Sequence, residues 1–141
     1  MAKILDLKTK MKKEDLVGEG YEKYPKKVGE ILIAELEVID KNILNNGALI
    51  LDQLEKIAIE NGHTIMESRY VQFPNCGSSG FIILAESHLS FHTWCDECIL
   101  SIDFFTCKKN VDWFEVMKKI KEVFNPVKTN FIIFDRKINN E

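Results

Sequence analysis

Glycine and proline are scarce, 7 and 3 among 141 residues, which excludes collagen-like repeats and leaves few breakers for a low-complexity chain. Long apolar runs are missing too. Phe81-Ile82-Ile83-Leu84-Ala85 is typical of the longest and falls far short of the ~18 residues of a membrane-crossing helix, so a soluble protein without a membrane partner is expected. The opening Met1-Ala2-Lys3-Ile4-Leu5-Asp6-Leu7-Lys8 has no apolar core of a secretory signal, and residence in the cytoplasm follows as the expectation. Positive charge is not in excess: 19 Lys and Arg stand against 22 Asp and Glu, a net charge of −3. That argues against a surface tracking nucleic-acid phosphates, so no nucleic acid is expected as partner. Cysteine is sparse, with Cys76, Cys95, Cys98 and Cys107. In a reducing compartment a core of this size needs no disulfide staple, and all four are expected as thiols.

What remains is enough for a core. A chain 45% hydrophobic and 29% charged describes one compact domain. Residues 1–28 are Lys-rich, hold Gly18, Gly20 and Pro25, and show no apolar period; they read as a flexible N-terminal extension, with residues 29–141 as the single domain. Ile31 to Val38 has the apolar, β-branched character of a strand. Asn45-Asn46-Gly47 punctuates, and Leu49, Leu51, Leu54, Ile57 and Ala58 then fall at helical spacing up to a Gly62 stop. His63–Phe73, Ser79–Ala85, Leu89–Trp94 and Ile99–Thr106 read as successive antiparallel strands. Trp113, Val116, Met117, Ile120 and Val123 give a second helix closed by Pro126, before a last strand over Thr129–Phe134. The order β-α-β-β-β-β-α-β predicts an α+β two-layer sandwich, an antiparallel sheet with helices packed on one face.

Polar residues interrupt the strands at one place, where Glu86-Ser87-His88 is followed by His92. Such groups cost desolvation in a sheet unless each finds a partner or a task. Residue types alone allow two readings: a polar hairpin turn with an ordinary strand histidine, or a reactive site. Likewise Ser79 alone reads as a turn residue between Gly77 and Gly80, Cys107 as a buried strand-end thiol and Phe73 as core. Cys95-x-x-Cys98 has metal-ligand spacing but no second pair, so no metal is expected.

Taken in register, Gly77-x-Ser79-Gly80, Glu86-Ser87-His88-x-x-x-His92-Thr93-Trp94 and Phe105-Thr106-Cys107 resemble the self-processing site of prokaryotic S-adenosylmethionine decarboxylase proenzymes, pyruvoyl enzymes of polyamine biosynthesis. The resemblance runs from Gly29 to about Phe134. It implies that the chain cuts itself between Glu86 and Ser87, and that Ser87 becomes a pyruvoyl cofactor able to form a Schiff base with the substrate amino group. Residues 1–86 and 87–141 would then be two subunits held together by shared strands rather than by a covalent bond. It further implies that His92 moves the proton during processing, that Ser79 hydrogen-bonds the processing adduct, and that Cys107 donates a proton in turnover. By the same resemblance Phe73 stacks on the substrate adenine. Where the family has a ribose-binding Glu, this chain has Asp96, one methylene shorter, with Glu97 as the substitute if the strand shifts. The implied activity is α-decarboxylation of S-adenosylmethionine, a small-molecule substrate, with L-ornithine or L-arginine decarboxylation on the same scaffold as the alternative. The implied assembly is a homodimer of processed units, which would cover sheet surface left open by the helices.

Overall fold

The structure, a computed structural model, describes residues 26–138. It divides into two units, a large one of residues 29–135 and a small one of residues 1–28 with 136–141. The described parts of the small unit, residues 26–28 and 136–138, are extended strand. Residues 1–25 of the expected extension lie outside the described residues, whereas Lys26–Val28 belong to the first strand.

Six strands alternate with three helices: β1 (Lys26–Glu37), α1 (Lys41–Leu44), α2 (Gly47–Glu60), β2 (Ile65–Gln72), β3 (Ser78–Leu84), β4 (Ser87–Trp94), β5 (Ile99–Thr106), α3 (Trp113–Phe124) and β6 (Lys128–Ile138). They form one sheet in the order β2-β3-β4-β5-β1-β6, and the pairs β2/β3, β3/β4, β4/β5 and β5/β1 are antiparallel. This is the two-layer α+β sandwich that the element order predicts. Among the described residues no helix is long and apolar enough to cross a membrane.

Register decides which side of each strand is dry, because side chains alternate across the sheet. Leu32 faces Phe104, Ala34 faces Ile102 and Leu36 faces Leu100 across β1/β5, and Leu89 and Phe91 continue the same rows across β4. All of these are buried. They meet Ile50, Leu54, Ile57 and Ala58 of α2 and Trp113, Val116, Met117, Ile120 and Phe124 of α3 in one core, each large side chain contributing about 1.5–3 kcal/mol by leaving water. Gly80 sits in a β3 row where no side chain fits: a Cβ there would lie 2.5 Å from the Phe91 ring.

The helices start where side-chain oxygens can take up free N–H groups. Asn46 accepts from Leu49 N at 3.0 Å and Asp112 from Glu115 N at 3.1 Å, while Asn125 ends α3 in the left-handed region at φ 47°. The four-residue α1 was not foreseen from the sequence. It has too few residues to show a period, but Asp40 caps it by accepting from Asn42 N at 2.9 Å. Its last carbonyl, on Leu44, accepts the Thr93 hydroxyl at 2.9 Å, and Asn45 just beyond it accepts from Gly77 N at 2.9 Å. The unpredicted turn thereby braces the β2–β3 loop.

Candidate active site

Among the described residues no helix packs on the opposite face of the sheet, and the polar residues singled out in the sequence gather along it and at its ends. Two clusters result.

The first lies at the β3–β4 hairpin. Ala85 and Glu86 make the turn, and Ser87 opens β4 with φ 143°, a conformation that costs a non-glycine residue roughly 1–3 kcal/mol. The strain persists because both sides of the turn are tied. Thr64 N donates to the Glu86 carboxylate at 2.9 Å, and Ala85 N donates to the Thr64 carbonyl at 2.9 Å. The Thr64 N–H bond holds the Glu86 carboxyl below its ordinary pKa. On the other side Cys107 N donates to the Glu86 carbonyl oxygen at 2.8 Å, and Ser87 is the cross-strand partner of Thr106. Glu86, Ser87 and Cys107 are thus brought together, with the Cys107 side chain exposed.

The second cluster lies towards the other end of the same hairpin. Ser79 and His92 are cross-strand partners. The half-buried His92 ring has the Phe73 ring on one hand, centroids 5.5 Å apart, and the Trp94 ring on the other at 4.4 Å. The Ser79 hydroxyl donates to the Phe91 carbonyl at 3.1 Å. Phe73 is held by a turn in which its N–H donates to the Gly77 carbonyl at 2.9 Å, with Gly77 at φ 109°, a conformation that favours glycine. Asp96 and Glu97 are both exposed in the turn after β4. Glu97 also lines a groove of about 550 Å³ with Glu35, Lys128 and Asn130.

The two clusters do not meet within one chain. His92 is five positions along β4 from Ser87, and an extended strand advances ~3.3 Å per residue, so roughly 17 Å separates them. Ser79 and His92 are therefore not brought to Ser87 within the single chain.

The expectation of four thiols is corrected. Cys76 and Cys95 form a disulfide, with Cα atoms 6.0 Å apart, and only Cys98 and Cys107 are free. The cause is register. Ser79 pairs with His92, so Cys76, three residues before Ser79, and Cys95, three residues after His92, come abreast where β3 and β4 begin and end. With its sulfur on Cys76, Cys95 does not form a ligand pair with Cys98. The bridge also joins a residue before the Glu86–Ser87 bond to one after it, so the expectation that the two segments share no covalent link beyond that bond is corrected as well.

A residue that sequence reasoning left without a role stands beside the first cluster. His63 is buried, its Nε2 2.8 Å from Thr106 Oγ1, its Nδ1 3.3 Å from the Ala58 carbonyl, and its ring edge-on to Phe104. In the sequence Gly62 reads as a helix stop and His63 as the start of a strand, and nothing local marks the histidine's partner 43 residues away. Burial lowers its pKa, with the Lys108 charge acting the same way, against the Ala58 hydrogen bond and the Glu86 charge. The neutral ring is therefore favoured in the folded chain, while the unfolded chain takes up a proton below about pH 6.5. Stability from this group is present above that pH and lost as pH falls below it. Thermal melts across this window should show the advantage of the natural chain over His63→Phe shrinking on acidification; an advantage that grows instead would refute the assignment.

Comparisons with known proteins converge on one family. The family model described as S-adenosylmethionine decarboxylase matches residues 30–137. The S-adenosylmethionine decarboxylase proenzyme of Thermotoga petrophila is 33% identical over 111 residues, covering 79% of this chain and 85% of that one. That of Picrophilus torridus is 34% identical over 110 residues, covering 77% and 84%. The crystal structure of the adenosylmethionine decarboxylase from Aquifex aeolicus superposes with a TM-score of 0.72 at 28% identity, over 80% of this chain and 93% of that chain.

Proposed function

This chain belongs to the S-adenosylmethionine decarboxylase family, and from that premise we propose that it is a self-cleaving proenzyme whose mature form removes the α-carboxyl group of S-adenosylmethionine in polyamine biosynthesis. The observation that carries the reading is the Cys107 N–H on the Glu86 carbonyl at 2.8 Å, next to a Ser87 backbone held at φ 143°.

Self-cleavage needs a poor nucleophile, a serine hydroxyl, to attack a poor electrophile, an amide carbonyl. Two features lower that barrier. A hydrogen bond from a fixed backbone N–H favours the charge that develops on the carbonyl oxygen as the hydroxyl adds. Strain at Ser87 raises the starting state and is relieved when the backbone bond opens. The Ser87 oxygen bonds to the Glu86 carbonyl carbon and the Ser87 nitrogen leaves as an amine, giving an ester. Removal of the Ser87 α-proton expels the Glu86 carboxylate, and water replaces the nitrogen, released as ammonia, at what was Ser87 Cα. In this scheme His92 takes the α-proton and the Ser79 hydroxyl donates a hydrogen bond to the adduct.

The pyruvoyl group made from Ser87 supplies an electron sink for the pair released as carbon dioxide departs. The chain has the residues to serve it: Ser87 lies half-buried beside Thr106 with Cys107 next in sequence, and the exposed Cys107 thiol is the group that delivers a proton to the substrate α-carbon. Phe73 offers an aromatic face to the adenine and the cationic sulfonium, and Asp96 a carboxylate to the ribose hydroxyls.

The ~17 Å between the clusters supports a reading in which each complete site draws on two copies of the chain. Among the described residues this face presents Val71, Phe81, Ile83 and Trp94, all exposed. In a homodimer with a two-fold axis through this face, each Ser87–Cys107 end meets the partner copy's Ser79–His92–Phe73 end, because a two-fold contact is reciprocal. The exposed apolar side chains, the split site and the homodimer are then one arrangement.

Substrate choice is tested directly by measuring carbon dioxide released from S-adenosylmethionine, L-ornithine and L-arginine by the purified protein. Release from S-adenosylmethionine at least ~100-fold above the other two is expected, because only it offers an adenine to Phe73 and a ribose to Asp96. Release from ornithine or arginine alone would overturn the substrate assignment.

A further inference from the structure

We propose that His63 and Thr106 are positioning residues for self-cleavage, holding the backbone amide of Cys107 on the carbonyl of the bond to be broken. The proposal rests on the self-cleavage reading above and names the part of the chain that builds its oxyanion-stabilising contact.

The hydrogen-bond directions can be read from chemistry alone. A carbonyl oxygen only accepts, so the His63 nitrogen facing the Ala58 carbonyl, Nδ1, carries the proton. In the neutral ring Nε2 is then an acceptor, and the Thr106 hydroxyl 2.8 Å away donates to it. With its proton committed, Thr106 Oγ1 accepts from Lys108 N at 3.0 Å. That last bond closes a turn around Cys107, the residue between them, and fixes the direction of its N–H. The N–H points at the Glu86 carbonyl.

The base of this chain of bonds is rigid. Thr106 is fully buried and His63 nearly so. The His63 backbone N–H donates to the same Ala58 carbonyl at 3.0 Å, anchoring it to the end of α2. Its neighbour Thr64 holds the Glu86 side chain. The two consecutive residues His63 and Thr64 therefore grip the scissile bond from both sides, one through the side chain of Glu86 and one through the amide that faces its carbonyl. Hydrogen bonds to developing oxyanions act only when aimed in advance, so loosening this grip slows cleavage without removing any reacting group.

The test follows the chain from synthesis. Cell-free translation of the full chain, sampled over time on reducing denaturing gels, gives the cleavage rate of each variant. Thr106→Val keeps the shape and loses the hydroxyl, His63→Phe keeps a ring against Phe104 and loses the acceptor, and Thr106→Ser restores the hydroxyl. The first two should cleave about 10- to 100-fold more slowly than the natural chain, and Thr106→Ser within about threefold of it. Near-ultraviolet circular dichroism of Trp113, which packs edge-on to Phe104, reports folding of each. Should Thr106→Val not fold, His63→Phe against Thr106→Ser decides. Folded variants that cleave at the natural rate, or a Thr106→Ser as slow as Thr106→Val, overturn the positioning role while leaving self-cleavage intact. A natural chain that never cleaves overturns both readings.

Discussion

Ser87→Ala should leave the 141-residue chain in one piece and without decarboxylase activity, a fall of at least ~10³-fold set by the background of the assay. The substitution deletes one oxygen at a half-buried position and keeps the Cβ, so the backbone strain at φ 143° and the surrounding hydrogen bonds persist. Stability should change by no more than about 0.5 kcal/mol, as for substitutions that create no cavity and orphan no buried group. Intact mass under reducing conditions settles the matter: the natural chain gives two fragments divided at Glu86/Ser87, the variant one. Cleavage of the variant at the same bond would mean that the hydroxyl is not the nucleophile, and the proposed function would fall with it.

Restoring activity by mixing two dead chains is the second large effect. His92→Ala removes the base from one cluster and Ser87→Ala the nucleophile from the other, roughly 17 Å away along β4. Each variant alone should be inactive. Co-expressed, half of randomly formed dimers contain one of each, and every such dimer holds one complete site, so about a quarter of the natural activity per chain should return. If both clusters instead served the same chain, no mixture could recover anything. The measurement separates a site shared between copies from one rearranged within a chain, and it needs no structure of the dimer.

The sequence was legible where periodicity and local chemistry decide, and illegible where register does. Helices α2 and α3 follow from apolar residues at three- and four-residue spacing, and β3, β4 and β5 from short β-branched runs, within a residue or two of their observed ends. Helix α1 escaped because four residues carry no period. The resemblance named Ser79, Glu86, Ser87, His92 and Cys107, and the structure, by making residues 87–94 one extended strand, divides that list into two groups. Cys76 and Cys95 meet only because Ser79 pairs with His92, and the strand partner of a residue is a global property of the fold. His63 was invisible for a similar reason: its hydroxyl partner arrives on β5, after three intervening strands.

The Cys76–Cys95 bond lies on both sides of the point where the backbone is expected to open. Two strands joined only by a shared sheet would drift apart once unfolded, and their return would be a bimolecular encounter slowed by dilution. A molecule stitched across its own nick stays a single particle in urea, so that regaining the native form remains first order and indifferent to concentration as long as no reductant is present. Adding a thiol would convert it into a pair of strangers.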